Sequence, residues 1–482
     1  MYFVSRRALS RRALAARITG LAGAISFILG AATAHADDVS DLQKRVDEQD
    51  QKIKVLERKL ELNDEFAAAS APATPVVKAS PKGFSIGSPD GANVLKLRAL
   101  LHFDGRHFLD DSTPDTANTF ILRRVRPTFE GTLNGIYDFK FVPDFAGGKT
   151  VIQDAYIVAR LRPWAQITAG KFKVPVGLER IQSASDNRFI ERGLPTSLVP
   201  NRDLGVQFGG DIARGVVNYS VGYFNGVTNG SSSDANSPTA DVENDTKGDY
   251  AARVFFQPFV NSDNFALRGL GFGVGATYVD STGTTTTTLL PTYKTPGQQN
   301  FFSFRSTAGT VNGTFADGKR ERISPQAYYS LGSFGVLAEY ARVSQEVSRV
   351  VGTTTAHATL DDTAWQVQLA WFATGEEETF KGFMPLTTFS LDKHTWGAFE
   401  FVARYHELSV DDDAFVGGAN SFANPDTAAR KATAWGVGVN WYLNQNYKWA
   451  LDYDVTSFDG GAAGGADRPD EKALFTRFAL TF

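Results

Sequence analysis

Fixed positive charge gathers in one stretch of this chain. Arg123, Arg124, Arg126 and Lys140 fall on two segments of alternating residue type, and Lys173, Arg180, Arg188, Arg192 and Arg202 fall in a segment, 173–203, that lacks alternation. Cations fixed around one space raise the local anion concentration, and a guanidinium matches phosphate or carboxylate with two parallel hydrogen bonds. The competing reading of each arginine is a partner for an acid, and Glu179, Asp186, Glu191 and Asp203 lie close in sequence. Other chemistries find less support. There is no cysteine, which excludes disulfides, thiolate metal sites and cysteine nucleophiles, and the six histidines include no pair at metal-ligand spacing such as H-E-x-x-H. Glycine alternates with apolar residues from Gly269 to Gly275 with no helix pattern after it, so this run reads as a strand and not as a phosphate-cradling loop. Asp411, Asp412 and Asp413 read as an exposed acidic loop in preference to a calcium site. With no Ser/His/Asp constellation at identifiable strand ends, neither an enzyme nor a cofactor is expected, and a barrel enzyme stays as the third reading because spacing alone does not exclude it.

The cations must be positioned by strands, because the period from Phe84 to the end is two. Trp435, Val437, Val439, Trp441 and Leu443 alternate with Ala434, Gly436, Gly438, Asn440 and Tyr442. Near the start of this region Leu95, Leu97, Ala99, Leu101 and Phe103 oppose Lys96, Arg98, His102 and Asp104. On 121–133, Val125, Pro127, Phe129 and Leu133 share one face while Arg124, Arg126, Thr128, Glu130 and Thr132 share the other. On the next strand Tyr137, Phe139, Phe141 and Phe145 oppose Asp138, Lys140 and Asp144. Strict parity turns Arg123 away from the other cations, and only a β-bulge would bring it back.

A soluble sandwich also alternates, but two features favour a transmembrane antiparallel β-barrel. The apolar faces begin and end in aromatic residues, and tight turns (Leu331–Phe334, Leu443–Tyr447) contrast with long polar loops at 226–249, 281–320, 411–431 and 459–471. The region holds 482 − 83 = 399 residues, and at about 25 residues per strand with half its connections this predicts about 16 strands around an aqueous lumen. The terminal Phe482 lies on the apolar face, where assembly signals of such barrels sit. Upstream, residues 1–36 carry five arginines, an apolar run from Ile18 to Ala32 and an Ala34-His35-Ala36 end, which predicts a signal peptide removed before Asp37. The mature chain then has 49 − 5 = 44 bases against 53 acids, a net charge of −9, and no nucleic-acid partner is expected. Residues 37–66 place Val39, Leu42, Val46, Gln49, Ile53, Leu56, Leu60 and Asn63 at 3-4 spacing, a short periplasmic coiled-coil helix that needs self-association. An Ala/Pro linker, 67–83, joins it to the barrel at 84–482.

The segments RRVRPTFEGTLNGIYDFKFVPDF, IQDAYI, KFKVPVGLERIQSASD and LPTSLVPNRDLGVQ between Arg123 and Gln207, with SPQAYYSLGSFGVLAEY, ATAWGVGVNWYLN and the C-terminal RPDEKALFTRFALTF, closely resemble the phosphate-selective porin O and P family over nearly all of 84–482. The resemblance implies a 16-stranded outer-membrane barrel, a homotrimer in contact with outer-membrane lipid, and a pore lined by arginine and lysine for phosphate or other small anions. It implies that Arg123 and Arg124 match the family's phosphate-contacting pair, and that Arg180 and Ser183 match its constriction residues. Two positions depart from the selective pattern: Leu100 stands where a lumen arginine occurs and Gln153 where an acid occurs. General anion passage is therefore better supported than phosphate specificity. A wall-tethering role, in which the coiled coil reaches peptidoglycan and the barrel is an anchor, is the structural alternative.

Overall fold

The computed structural model describes residues 36–70, 74–109, 118–148, 150–233, 247–307, 312–382 and 384–482. The chain separates into two compact units, 1–74 and 75–482. The export segment expected over 1–36 lies outside the described residues except for its last. In the first unit, helix α1 (Ala36–Ser70) covers the expected coiled coil and continues four residues past Phe66. Its seam residues Leu42, Val46, Ile53, Leu56 and Leu60 are all more than half exposed, as a stripe awaiting a partner would be. Lys54–Asp50 (3.2 Å) and Arg58–Glu61 (2.9 Å) lie one helical turn apart on its charged flanks.

The second unit opens with β1 (Val76–Ser80) and β2 (Gly83–Gly87), a hairpin. Then follow β3 (Val94–Phe108), β4 (Thr119–Leu133), β5 (Tyr137–Asp144), β6 (Val151–Arg162), β7 (Ala165–Lys173) and β8 (Arg202–Ile212). Helix α2 (Leu178–Ile181) lies between β7 and β8. After them come β9 (Val217–Phe224), β10 (Asp249–Phe256), helix α3 (Phe265–Arg268) and β11 (Leu270–Thr282). A small hairpin, β12 (Thr292–Lys294) with β13 (Asn300–Ser303), interrupts the connection to β14 (Thr314–Leu331). The series ends with β15 (Phe334–Val351), β16 (Thr354–Phe372), β17 (Ala398–Ser409), β18 (Ala429–Tyr442), β19 (Tyr447–Gly460) and β20 (Glu471–Thr481). Apart from the two hairpins, each strand pairs antiparallel with the next, and β20 returns to β3 from Ala473↔Phe108 to Thr481↔Leu100. The result is a closed sixteen-stranded barrel, as the strand spacing predicts.

The alternation has the expected outcome. On β18 Trp435 and Val437 are exposed on the outer face while Ala434 and Asn440 are buried inside. Aromatic pairs band the outside, among them Phe334–Trp371 and Trp371–Phe401, with ring centroids 6.1 and 5.9 Å apart. The inner face buries Arg404, Asp452 and Arg477, which no apolar core would hold unpaired.

Three features differ from the sequence reading. Ordered sheet begins at Val76, inside the expected linker, because β1 bonds along its whole length to β2 while all five of its residues stay exposed. A strand with no buried face carries no alternation to read. Second, the connection 352–353 on the long-loop rim is a tight turn, since β14 to β16 are 18 or 19 residues long and their own strands project. Third, the connection 373–397 on the short-turn rim is long. It folds back into the barrel mouth, where Phe380 stacks on Tyr328 at 4.9 Å and its carbonyl accepts from Gln182 Nε2 at 2.9 Å.

Candidate functional site: a cation-lined constriction

The cations of β4 reach the lumen through the strand's parity and one irregularity. His102 of β3 pairs with Arg124, and Phe103 pairs with Leu122, so Arg123 is the extra residue of a bulge. That bulge turns Arg123 inward, as its place in a cationic cluster requires. Its Nε and Nη2 donate to Glu191 at 2.7 and 3.2 Å. Arg124 is buried with Nη1 3.1 Å from His102 Nδ1, and Arg126 Nε donates to Asp144 at 2.7 Å. Lys140 Nζ stands 3.8 Å from Glu130 and is the loosest of these contacts. A second bulge, Val142↔Asp154 followed by Pro143↔Ile152, brings two successive residues of β6 to the lumen. Gln153 lines the space towards the long loops, and Asp154 accepts from Arg202 Nε at 2.7 Å.

The segment between β7 and β8 folds inside the barrel, as its lack of alternation predicts. Val176, Leu178, Leu194 and Leu198 bury their side chains almost completely against the far wall. Gly275 of β11 permits the close approach, since a Cβ there would lie 2.5 Å from the Val176 carbonyl oxygen. Polar anchors fix the rest. Leu178 N donates to Glu339 (2.8 Å), Ile190 N to Asp452 (2.6 Å), Leu194 N to His406 Nδ1 (3.0 Å), and Arg404 Nη1 to the Glu191 carbonyl (2.8 Å). Glu191 also receives Arg106 at 2.9 Å, so one loop carboxylate joins Arg106 and Arg123 of the wall.

On this loop Lys173 Nζ donates to the Ile181 and Gln182 carbonyls at 3.3 and 2.7 Å, and Arg192 donates to those of Glu179 and Gln182 at 3.0 and 2.9 Å. Arg180 donates to the Thr196 carbonyl, and Ser183 Oγ lies 2.8 Å from Ser185 Oγ. These three cations meet carbonyl oxygens, which order them without cancelling their charge. Burial pushes the Arg192 guanidinium down to about 9, with Arg180 beside it adding to the fall, and pushes Arg180 down to about 10. Both stay charged at neutral pH.

The folded-in loop leaves open lumen on both of its sides, with a cavity of about 950 Å³ towards the short turns and one of about 530 Å³ towards the long loops. Arg126, Lys173, Ala184 and Arg202 line both, so the passage between them is bordered by three cations. Eight cationic side chains line the long-loop cavity against one acid, Glu191, which is already paired. Of the residues singled out in the sequence, Arg123, Arg124, Arg126, Lys173 and Arg180 line this cavity, while Lys140 and Ser183 line the other. Arg188 departs from the group and pairs with Glu378 of the infolded 373–397 connection. Arg192 and Arg202 complete the cationic wall. Arg202 opens β8 at the loop edge, five residues from the lumen-lining Gln207, so regular alternation along the strand does not place both in the lumen.

A closed sixteen-stranded barrel with a loop folded into a charged passage defines a porin. This chain belongs to the phosphate-selective porin O and P family, whose model matches residues 95–482. Porin O of Pseudomonas aeruginosa is 28% identical over 155 residues, 32% of this chain and 33% of that protein, so the match spans about a third of the relative's length. Among solved structures, the outer membrane channel DcaP of Acinetobacter baumannii superposes with a TM-score of 0.50 at 12% identity, covering 81% of this chain and 98% of that one. An anion-selective porin from Comamonas acidovorans gives 0.48 at 12% identity, covering 81% and 100%. The protein is an outer-membrane porin.

Proposed function

We propose that this porin forms a water-filled, anion-preferring channel for passive diffusion of phosphate and other small anions, and that it works as a homotrimer. The observation that carries the reading is the eight-to-one excess of cationic over acidic side chains around the long-loop cavity, continued by Arg126, Lys173 and Arg202 at its exit. Fixed charges of one sign between low-dielectric walls attract counter-ions and exclude co-ions. Side-chain nitrogens already ordered by carbonyl oxygens can replace an anion's water at little entropic cost. The support for phosphate comes from the family, whose phosphate-contacting pair and constriction positions resemble Arg123–Arg124 and Arg180 with Ser183. Against strict selectivity, Glu191 engages Arg123, and Leu100 faces Arg126 across the strands where an arginine would add charge. Phosphate is therefore one passenger among anions. Purified protein in planar bilayers should give triple-step ohmic conductance, and phosphate should block its chloride current only at concentrations comparable to other divalent oxyanions. Silence in bilayers would remove the channel.

The exposed seam of α1 supports self-association in the periplasm after cleavage before Asp37. Deleting 37–66 should leave the single-channel conductance unchanged while lowering the temperature at which the trimer band dissociates on a gel. A loss of conductance in the deletion would place the helix in the ion path.

A further inference from the structure

We infer that the cavity on the short-turn side is a binding site for organic anions with a ring-sized apolar body, the aromatic carboxylates, seated with the ring on a strip of apolar lumen residues and the carboxylate on the adjacent cations. The inference rests on the anion-preferring channel proposed above and names a substrate class for it. Water-filled lumens are ordinarily polar, because an apolar face turned to water gains nothing. Here Leu100, Val142, Tyr156, Val158 and Phe172 all line the 950 Å³ cavity, from β3, β5, β6 and β7, with β4 between the first two. They are interleaved with charge in a regular way. Leu100 pairs across the strands with Arg126, Tyr156 with Lys140, and Val142 with Asp154, which holds Arg202. Each apolar patch thus has a cation or a cation-holding acid directly beside it.

The surface is built, with Leu100, Tyr156 and Val158 partly open to the cavity and Val142 and Phe172 buried behind it. Tyr156 packs edge-on against Phe172 with ring centroids 5.9 Å apart, and Phe172 leans in turn on Phe224 at 5.3 Å, so the aromatic floor cannot turn away. Opposite Tyr156 stands Gly170, at φ 126°, where a Cβ would lie 2.8 Å from the Tyr156 Cα, so the two strands approach closely there. Lys140 is a third exposed and only 3.8 Å from its nearest carboxylate, which leaves ammonium donors for a solute. A cavity of ~300–1,000 Å³ with apolar walls and a few convergent charges suits a small organic ligand. Inorganic phosphate would fill little of it and would leave the apolar strip in water. An aromatic carboxylate satisfies both halves.

The test uses the full-length trimer in planar bilayers, with benzoate, acetate and phosphate each added to the short-turn side as blockers of chloride current. Benzoate should half-block at a concentration about tenfold below acetate, following the apolar area removed from water. In Tyr156→Ser, and independently in Leu100→Ser should the first fold poorly, the benzoate advantage should fall towards unity. Equal block by benzoate and acetate in an anion-selective trimer would overturn this inference and leave the channel reading standing. A trimer without anion preference would overturn both.

Discussion

Glu191→Gln should loosen the loop that narrows the pore and destabilise the barrel more than any other single substitution at the constriction. Glu191 accepts from Arg123 and Arg106 and lies 3.9 Å from Arg477, three cations of the wall that meet on one buried carboxylate. Removing one member of a buried ion pair leaves uncompensated charge and costs about 3–5 kcal/mol. Glutamine keeps the shape and removes the charge, so the loss will be electrostatic. The carboxyl also reports the same balance through pH. Burial alone would raise it, but Arg123, then Arg124 and Arg477, hold it well below the usual glutamate range. A carboxyl depressed in the folded state contributes stability that is present above its unfolded value, near 4.3, and lost only as pH falls through the folded one. Wild-type protein should therefore keep a quiet open channel and a heat-resistant folded band just below pH 4, while Glu191→Gln should lower the unfolding temperature and give larger, noisier conductance wherever the wild-type carboxyl is ionised. As a contrast, Glu130→Gln removes a partner of Arg98 and Lys140 that is 22% exposed and should cost no more than about 1 kcal/mol. Equal stability of the two variants would show that the Glu191 charge is not what holds the loop.

The second large effect concerns selectivity. Arg126→Glu combined with Arg202→Glu turns two of the three cations at the passage into anions beside Asp144 and Asp154. At an effective dielectric constant near 20, one charge at 4 Å is worth about 4 kcal/mol. Four units of charge change should thus shift the anion-to-cation permeability ratio by at least about tenfold, which corresponds to ~1.4 kcal/mol. Should the reversed pair disturb the two neighbouring carboxylates, Arg126→Gln with Arg202→Gln should show the same direction at smaller size. An unchanged ratio in a folded trimer would move the filter elsewhere.

Much of this was legible because a barrel writes its two solvents into alternate residues. The outward stripe of Trp435, Val437 and Val439 marks the lipid face of β18, and the same parity places Arg124 and Arg126 in the lumen. Even the bulge at Arg123 follows from the conflict between parity and charge, and it lies where β3 and β4 slip register. The neighbouring acids were legible only as types. Glu191 serves arginines 68 and 85 residues away in the chain in preference to the cations of its own loop, and no periodicity links such positions. Asp154 likewise finds Arg202, 48 residues away on another strand, a partnership that single-strand parity does not reveal. The infolded 373–397 connection and β1 escaped for a shared reason. Neither presents one face to lipid and one to water, so neither repeats.

The central claim is that the fixed charge of the constriction makes this porin prefer anions. The zero-current potential of the wild-type trimer across a tenfold potassium chloride gradient tests it most directly, since one elementary charge gives ~59 mV per tenfold ratio at the ideal limit. A potential on the chloride side, collapsing as salt rises and screening shortens, is the predicted result. A potential on the potassium side, or none at low salt, would contradict it.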